Sequence, residues 1–245
     1  MIWTKLWALF PRIKEGGTHS MYYAVTITKG SETKNTYNDW YLVPSSRPVI
    51  LPPEPKYNMI DIPGVNGSLD LTEVLPGDVA YNNRKGSIEF IVFNEKPDTW
   101  YELYSKILDF VQGQRVQIKL EEEPEYYYEG RVKVNTWTSG KNYSTISFDY
   151  DLDPFKYATT PTTRTITHSS SIITSETFTC DRMPVMPKFT LSGSGASMTI
   201  TFKGNQYTLA PGEQAVAGIV FTEGTNTLTV SGKGSLTVTY RGGRL

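Results

Sequence analysis

The feature that most constrains the fold of this chain is a repeated alternation of apolar and polar residues over short stretches. Residues 115–121 read RVQIKLE and place Val116, Ile118 and Leu120 at every second position. Successive side chains of a β-strand point to opposite faces, so this period of two is typical of a half-buried strand. Glycine, proline and asparagine, which favour turns, separate such stretches along the chain. The sequence therefore predicts a mainly β protein.

One stretch, residues 60–73 (IDIPGVNGSLDLTE), combines a turn with a strand. Its PGVNG run holds residues that adopt positive φ at little energetic cost, which predicts a tight turn. Leu69 and Leu71 then alternate with polar residues, which predicts a half-buried strand. We interpret the stretch as a β-hairpin or bulged loop that has no chemistry of its own and that shapes the subunit or its interface.

The first part of the chain contains several more strand patterns. Residues 22–28 and 36–43 predict two strands, and residues 45–55 predict an extended loop, because their four prolines lack the N–H groups that a central strand donates. Residues 86–93 (GSIEFIVF) have apolar side chains at both alternating sets of positions, which predicts a central strand packed on two sides. Further strands are predicted at 115–121, 130–137 and 143–150.

One stretch, residues 99–112, follows the period of a helix instead. Its apolar side chains recur at spacings of three and four and form one stripe: Trp100, Leu103, Tyr104, Ile107, Leu108 and Val111. This pattern predicts an amphipathic helix that covers the sheet. Asp98 or Thr99 can cap its N-terminus, and Gly113 stands where a left-handed C-cap belongs.

The composition changes after residue 157. Residues 159–179 are dense in threonine and serine, and we predict a linker at 159–163. Beyond it, short apolar stretches between glycine turns, with no helical pattern, predict a small β-sandwich within residues 158–245. Its strands are predicted at 188–192, 196–203, 206–209, 214–221, 226–230 and 234–240, with turns at glycines that include Gly193 and Gly232.

The N-terminal residues 1–20 fit neither part. Their short apolar patch is followed by Pro11 and Arg12 where a signal peptide has small cleavage-site residues, so we do not interpret it as a secretion signal. The codons for residues 15–17 can spell a bacterial ribosome-binding sequence shortly upstream of Met21. We therefore expect residues 1–20 to be a leader from a wrongly assigned start, or a flexible arm.

The charge and cysteine content exclude several classes of function. The chain has a net charge of −1, so electrostatics do not favour binding to nucleic acid or to an anionic membrane. No apolar run reaches the roughly 18 residues of a membrane-spanning helix. Cys180 is the only cysteine and cannot form an intrachain disulfide, which favours assembly in a cytoplasm.

The acidic clusters do not suggest catalysis or calcium binding. A glycosidase needs two carboxylates that face each other across a cleft, and the run EEEPE at residues 121–125 does not provide them, so we interpret it as a solvated turn. Asp149, Asp151 and Asp153 have the spacing that starts a calcium-binding loop. However, Pro154 follows where that loop would continue, and its glycine and final glutamate are absent.

The other catalytic and metal-binding patterns are also missing. His19 and His168 are the only histidines, so neither a zinc site nor a Ser-His-Asp triad has enough candidates. No glycine-rich phosphate loop stands between a strand and a helix. We therefore predict no catalytic, cofactor-binding or metal-binding residues, no cofactor and no enzymatic activity, and we expect a structural or binding role.

Four motifs, in this order, give the chain a resemblance to a known family. They are PGVNGSLDLT at 63–72, the single helix from residue 99 between two strands, DPFKY at 153–157, and YRGGRL at 240–245. Together they resemble the distal tail protein family of long-tailed phages, particularly of phages that infect Gram-positive bacteria. The resemblance covers nearly all of residues 21–245, whereas the leader has no counterpart in it.

The resemblance implies two domains and a structural role in the virion. Residues 21–157 would be a ring-forming, tail-tube-like β-sandwich with one helix and a β-hairpin, and residues 158–245 a galectin-like β-sandwich. Six copies would form a hexameric ring at the distal end of the tail, between the tail tube and the tail tip or baseplate that adsorbs to the host. Exposed aromatic residues and the loop 45–56 are expected at its interfaces.

The partners that the resemblance implies are other tail proteins. They are further copies of the same chain, the tail tube protein and the tail-associated hub protein, with the tape measure and receptor-binding proteins as additional candidates. No sequence-specific nucleic acid binding and no membrane insertion are implied.

Two other functions fit the sequence less well. A carbohydrate-binding module that recognises the host would need stacking aromatic residues in the second domain. Those present lie within strand patterns and so mostly in the core: Phe189, Phe202, Tyr207, Phe221 and Tyr240. A glycoside hydrolase or other tail-borne enzyme would need paired catalytic groups, which the sequence does not show.

Overall fold

The computed structural model describes residues 23–74, 77–92, 100–140 and 143–245. In this part the protein is mainly β, as predicted, and forms antiparallel sheets together with two helices. The predicted leader, residues 1–20, lies outside the described residues.

The first part of the chain contains ten strands and both of these helices. In chain order they are β1 (Val25–Lys29), β2 (Glu32–Asn35), α1 (Thr36–Trp40), β3 (Leu42–Pro44), β4 (Met59–Asp61), β5 (Ser68–Asp70), β6 (Arg84–Val92), α2 (Trp100–Val111), β7 (Gln114–Leu120), β8 (Tyr126–Ser139), β9 (Ser144–Leu152) and β10 (Lys156–Ala158). β1 begins three residues after the predicted start at residue 22, which is not among the described residues.

Seven of these strands form one antiparallel sheet in the order β2-β1-β7-β8-β9-β6-β3. Within the described part, β2 pairs only with β1 and β3 pairs only with β6, so these two strands are the first and the last in the strand order, although α1 joins them directly along the chain. β4 and β5 pair with each other in a separate hairpin. β10 pairs with β8 at the side of the sheet.

The core of the first part lies between this sheet and α2, which packs closest to β7 and β8. Phe90, Ile146 and Leu152 of the sheet and Ile107 and Val111 of the helix are completely buried. Burying a side chain of this size contributes about 1.5–3 kcal/mol before the loss of chain entropy is counted.

The helix predicted over residues 99–112 is confirmed as α2 within the described residues. Its buried side chains are Trp100, Ile107, Phe110 and Val111, and Leu103 and Tyr104 are partly buried against the same core. Phe110 was not in the predicted stripe, whereas Leu108 was predicted there and is only half-buried.

The C-terminal end of α2 also follows the prediction. Gly113 has φ +68°, in the left-handed region where glycine is favoured as a C-cap. The predicted N-caps, Asp98 and Thr99, lie outside the described residues.

The strand predicted at 36–43 is wrong in its first half, where the chain forms the short helix α1. The side chain of Asn35 caps this helix by accepting hydrogen bonds from the backbone N–H groups two and three residues further on, at 3.0 and 2.9 Å. The Asp39 carboxylate accepts in return from the Asn35 N–H at 2.7 Å. Tyr41 ends the helix in the left-handed conformation with φ +57°.

The two-sided packing predicted for β6 is also wrong. Phe90 is fully buried on one face, but Ser87 and Glu89 on the other face are exposed, because α2 covers only one side of the sheet. Phe93, the last residue of the predicted strand, is not among the described residues.

The second part of the chain is a β-sandwich, as predicted. Its strands are β11 (Thr162–Cys180), β12 (Lys188–Phe202), β13 (Asn205–Leu209), β14 (Gly212–Ala215), β15 (Gly224–Tyr240) and β16 (Gly243–Arg244). The strand order is β11-β15-β12-β13, and β14 pairs with the first half of β12. The core between its layers includes Phe189, Leu191, Ile200, Phe221 and Val230.

Three long strands run through both layers of this sandwich. Residues 162–168 of β11 pair with the end of β15, and residues 172–180 pair with its beginning. The Tyr240 hydroxyl, next to the start of β11, donates to the Thr179 carbonyl near its end at 2.7 Å. A straight strand would hold those two ends of β11 roughly 55 Å apart, at about 3.3 Å per residue, so β11 folds back on itself.

Several predicted boundaries in this part are therefore wrong. The predicted linker at 159–163 and the polar residues after it lead into β11, because pairing with β15 stabilises a threonine- and serine-rich strand. The predicted turns at Gly193 and Gly232 are bends within continuous strands, with φ +123° and +114°. The strand predicted at 214–221 is limited to β14.

The two cores are joined by the C-terminal strand. β16 pairs with β10, which in turn pairs with β8 of the first sheet. The guanidinium groups of Arg241 and Arg244 lie over the rings of Tyr127 and Tyr126, at 5.6 and 5.8 Å from the ring centroids. We call this contact between the C-terminal residues 241–245 and the first part of the chain the clasp.

The predicted domain boundary between residues 157 and 158 falls inside β10, and the division of the chain into 21–157 and 158–245 stays a prediction.

In the part of the chain that the structure describes, no helix is both long and apolar enough to cross a membrane.

Candidate assembly surface on an extended arm

The segment between β3 and β6 leaves the first sheet and returns to it, and we call its described residues, 45–74 and 77–83, the arm. The arm includes the sequence stretch 60–73 that was predicted to form a turn and a strand. Its stalk is a pair of chain segments joined by an antiparallel bridge between Pro55 and Tyr81. Backbone hydrogen bonds of 2.8 Å on either side of this bridge hold the two segments together.

The tip of the arm is the hairpin of β4 and β5. Ile60 lies opposite Leu69 in its register, and the Ser68 hydroxyl donates to the Asp61 carboxylate at 2.5 Å. Gly64 and Gly67 in the connecting loop have positive φ, as the PGVNG run predicts. The predicted hairpin is therefore confirmed.

The burial predicted for this hairpin is wrong, because every residue from 56 to 70 is exposed. The large apolar side chains among them are Tyr57, Met59, Ile60, Ile62, Val65 and Leu69, with exposed fractions between 43% and 68%. A two-stranded hairpin buries too little surface to be stable by itself, and several large apolar side chains exposed together in one short segment suit a contact with another protein. The arm tip is therefore our candidate assembly surface.

The base of the arm is fixed to the first sheet by Tyr150. Its hydroxyl accepts a hydrogen bond from the Leu51 N–H at 3.0 Å and lies 3.5 Å from the Val49 carbonyl. Gly86 provides the space, because a Cβ atom there would lie 2.3 Å from the same hydroxyl. Burial of Ile50 in the first core adds an apolar anchor.

Arg84 is a second anchor at the base of the arm and is 97% buried, with 3% of its surface exposed. Its Nε donates to the Pro154 carbonyl at 2.8 Å, and its Nη1 donates to the Leu51 carbonyl at 3.0 Å. Its guanidinium lies over the ring of Tyr128 at 5.4 Å. Burial lowers the pKa of Arg84. The residue links the arm to the segment that leaves the first core.

The returning segment of the arm also contacts the second part of the chain. Arg182 donates to the Asp78 carboxylate at 2.7 Å and to the Glu223 carboxylate at 2.8 Å. The arm is thus held at its base from both sides, while its tip is exposed.

An open groove of about 610 Å³ lies at the β2 end of the first sheet, between β2, α1 and α2. Trp40 and Phe110 in its lining are almost fully buried, and their rings meet edge to face at 5.5 Å. Lys29 lies over the Phe110 ring at 4.7 Å. The rim holds the ion pairs Lys106–Glu102 and Lys34–Glu32, at 2.6 and 3.1 Å.

The acidic run at 121–125 is more than a solvated turn, which corrects that interpretation. Glu121 accepts a hydrogen bond from the Ala24 N–H at 3.0 Å. Glu122 pairs with Arg47 of the arm, and Glu123 pairs with Lys156, both at 2.6 Å. These carboxylates therefore connect neighbouring segments, which the sequence did not indicate because their partners lie far away along the chain.

The three aspartates near residue 150 do not act together. Asp149, Asp151 and Asp153 pair separately with Lys133, Lys85 and Arg115. Each carboxylate is thus paired with a different basic side chain on the outer surface of the sheet.

The remaining polar residues singled out in the sequence have structural surroundings. His168 is buried at the bend of β11, with its ring nitrogens 3.2 Å from the Gly232 carbonyl and 3.0 Å from the Thr174 hydroxyl. Cys180 is buried and its thiol donates to the Met183 carbonyl at 3.4 Å. Burial raises the pKa of this thiol, which disfavours the reactive thiolate. His19 lies outside the described residues.

The aromatic residues of the sandwich are mostly in its core, as predicted. Phe189, Phe202, Phe221 and Tyr240 are buried. Tyr207 is half-buried and its hydroxyl donates to the Gly218 carbonyl at 3.3 Å.

Comparison with known proteins shows a fold likeness but no sequence relative. No family model matches the chain, and no curated protein matches it significantly. Among solved structures, the fold is similar to the crystal structure of the SPP1 Dit (gp 19.1) protein, described as a paradigm of the hub adsorption apparatus in phages that infect Gram-positive bacteria. The TM-score is 0.61 at 16% identity, over 90% of this chain and 99% of that one.

Proposed function

We propose that this chain is a distal tail protein, a structural component of a phage virion that forms a hexameric ring between the tail tube and the host-adsorption apparatus. The observation that supports this most directly is the arm, whose fixed base and exposed apolar tip are suited to contact another subunit. The four sequence motifs and the fold likeness to SPP1 Dit point to the same family.

In this proposal residues 21–157 form the ring and residues 158–245 form an outer β-sandwich domain. A ring requires a head-to-tail interface, in which one surface of each subunit contacts a different surface of the next subunit. The rotation that relates neighbouring subunits must also bring the last one back to the first. The tail tube protein and the hub protein are the proposed partners above and below the ring. The protein is made in the bacterial cytoplasm and ends at the distal tip of the tail.

The proposal assigns no enzymatic activity to the chain. The acidic groups that could have suggested catalysis or metal binding are engaged in ion pairs with separate partners. The half-buried and buried aromatic residues of the sandwich leave few rings to stack on a sugar, which disfavours the carbohydrate-binding alternative.

Negative-stain electron microscopy of the purified full chain tests the proposal, with the tail tube protein added in a parallel sample. We expect rings with six-fold symmetry in at least one of the two samples. A chain that stays monomeric in both, at concentrations where tail proteins assemble, would contradict the proposed function.

A further inference from the structure

The loop at the tip of the arm contains an asparagine followed directly by a glycine, Asn66 and Gly67, and this pair occurs nowhere else in the chain. Both residues are exposed. Gly67 has φ +82°, and a Cβ atom built on it would meet no heavy atom within 4 Å apart from its chain neighbours. The loop therefore does not pack against the rest of the protein at this point, and water and hydroxide can reach both residues.

The polar groups of this pair are also free of hydrogen bonds. Among the described residues, the Gly67 N–H donates to no acceptor and the Asn66 side chain has no partner. Ile62 would face Gly67 if the ladder of the hairpin continued, but its carbonyl accepts instead from the Val65 N–H at 3.2 Å. Because no ladder bond holds the Gly67 nitrogen, it can turn towards the neighbouring side chain and lose its proton to hydroxide.

These groups can react with each other without any oxidant or cofactor. The Gly67 nitrogen forms a bond to Cγ of Asn66, the Cγ–Nδ2 bond breaks, and the Gly67 proton leaves with the amide group as ammonia. The product is a five-membered cyclic imide. Water then opens one of the two C–N bonds of this imide, which leaves aspartate or isoaspartate in place of the asparagine. A side chain on the following residue would hinder the attack, and glycine has none.

We infer that Asn66 is a site of spontaneous deamidation in the unassembled chain and that the resulting carboxylate prevents the arm tip from binding. The second half of this inference rests on the proposed ring. Val65, directly before Asn66, is 61% exposed and Leu69 is 48% exposed, and both belong to the apolar side chains of the arm tip. A carboxylate among them would lose its water in an apolar contact, which costs free energy unless a basic group pairs with it.

The arm tip itself has no surplus of basic residues to pair with this charge. Among residues 56–70, Lys56 is the only basic residue, whereas Asp61 and Asp70 are acidic. Deamidation therefore changes the net charge of this segment from −1 to −2. Isoaspartate has a further effect, because it adds a carbon atom to the main chain in the loop between β4 and β5.

Mass spectrometry of the full-length protein during incubation in a mildly alkaline buffer tests the modification. Replacement of the amide by a carboxyl group raises the mass by the difference between a hydroxyl and an amino group, and fragment ions locate the change. Asn58 is the matched internal control, because it is also exposed in the arm but is followed by Met59, which has a side chain. We expect the reaction to be about tenfold faster at Asn66 than at Asn58, the ratio that a barrier difference of about 1.4 kcal/mol gives.

Electron microscopy of fresh and incubated protein, in the sample that forms rings, tests the effect on assembly. We expect rings to be lost in proportion to the modified fraction of the chains. Asn66→Asp should lose rings without incubation, because it carries the carboxylate from the start. Asn66→Gln should keep its rings after incubation, because its longer side chain would have to form a less favourable six-membered imide.

The two measurements separate this inference from the proposed function. Faster modification of Asn66 with selective loss of rings supports the inference. Equal rates at Asn66 and Asn58 would overturn the modification site but leave the ring. Normal rings from modified chains and from Asn66→Asp would overturn the effect on assembly and also leave the ring. If fresh protein forms no rings, the proposed function fails and the effect on assembly fails with it, while the mass measurement still decides the modification.

Discussion

The hydroxyl group of Tyr150 connects two segments that lie 99 residues apart, the sheet and the base of the arm. Neither Tyr150 nor Arg84 was identified from the sequence, because Tyr150 is an ordinary residue at the end of the strand predicted at 143–150, Arg84 lies before the strand predicted at 86–93, and their partners in the arm are remote in the chain. Gly86 lies inside β6, where a glycine often marks a close approach of another segment, but the sequence placed it at the start of the strand predicted at 86–93. The structure shows that approach as the position of the Tyr150 hydroxyl.

Tyr150→Phe should therefore loosen the arm at a modest cost in stability. The change keeps the aromatic ring of the side chain but removes the hydroxyl oxygen that accepts a hydrogen bond from the partly buried Leu51 N–H. We therefore expect the free energy of unfolding to fall by about 1 kcal/mol. Urea denaturation measures this. Tyr101→Phe, at a 68% exposed position on α2, is the matched control and should be neutral. Equal effects of both changes would contradict the anchor.

Stability should also depend on alkaline pH through Tyr128. Burial, with the nearby Glu123 carboxylate, raises the pKa of Tyr128 to about 12 from its ordinary value of 10.0. The neutral phenol is favoured in the folded state. Its contribution to the free energy of unfolding is therefore present in full below pH 10 and is lost as the pH rises towards 12. We expect the urea midpoint to fall between pH 9 and pH 11, and Tyr128→Phe to reduce that fall. An identical pH dependence in the variant would exclude Tyr128 as a cause.

At the scale of elements, the sequence correctly predicted the helix and the strands whose formation is determined by a local pattern. α2 and β7 have clear periods and formed as predicted. α1 was missed because the strand-forming aromatic residues of 36–43 concealed the cap at Asn35. β11 was missed because its polar sequence is stabilised by distant pairing with β15. The hairpin was predicted correctly. Its exposure was not, because the exposure of a hairpin depends on how the whole chain folds around it.

Leu69→Asp tests the arm as an assembly element. Leu69 is 48% exposed, so the charge should change the free energy of unfolding of the single chain by no more than about 0.5 kcal/mol, yet it should abolish rings by placing a carboxylate in an apolar contact. Ile173→Asp, the same change at a 71% exposed position outside the arm, should leave rings intact. Size-exclusion chromatography with light scattering measures both. Rings of normal size with Leu69→Asp would rule out a role for this residue.

At the scale of the whole molecule, the clasp makes the two cores depend on each other. β16 belongs to the C-terminal segment but pairs with β10, next to the first sheet. Arg244 also pairs with Asp181 at 3.1 Å, and the Met183 N–H donates to the Gly243 carbonyl at 3.1 Å. The same few residues therefore contact both parts of the chain.

Deleting residues 241–245 should leave both cores folded but uncouple them. We expect differential scanning calorimetry to resolve two unfolding transitions, and limited proteolysis to cleave near residues 158–162. Deleting Leu245 alone, which is 37% exposed, is the control and should change neither result. A single unchanged transition after the longer deletion would show that other contacts couple the two parts.

The bent strands of the sandwich have a mechanical consequence. β11, β12 and β15 each continue from one layer into the other, with glycines at the bends of β12 and β15. A force that pulls the two layers apart therefore acts along covalent backbone as well as across side-chain contacts. Tension on one layer is passed directly to the other, so the layers resist separation as one unit.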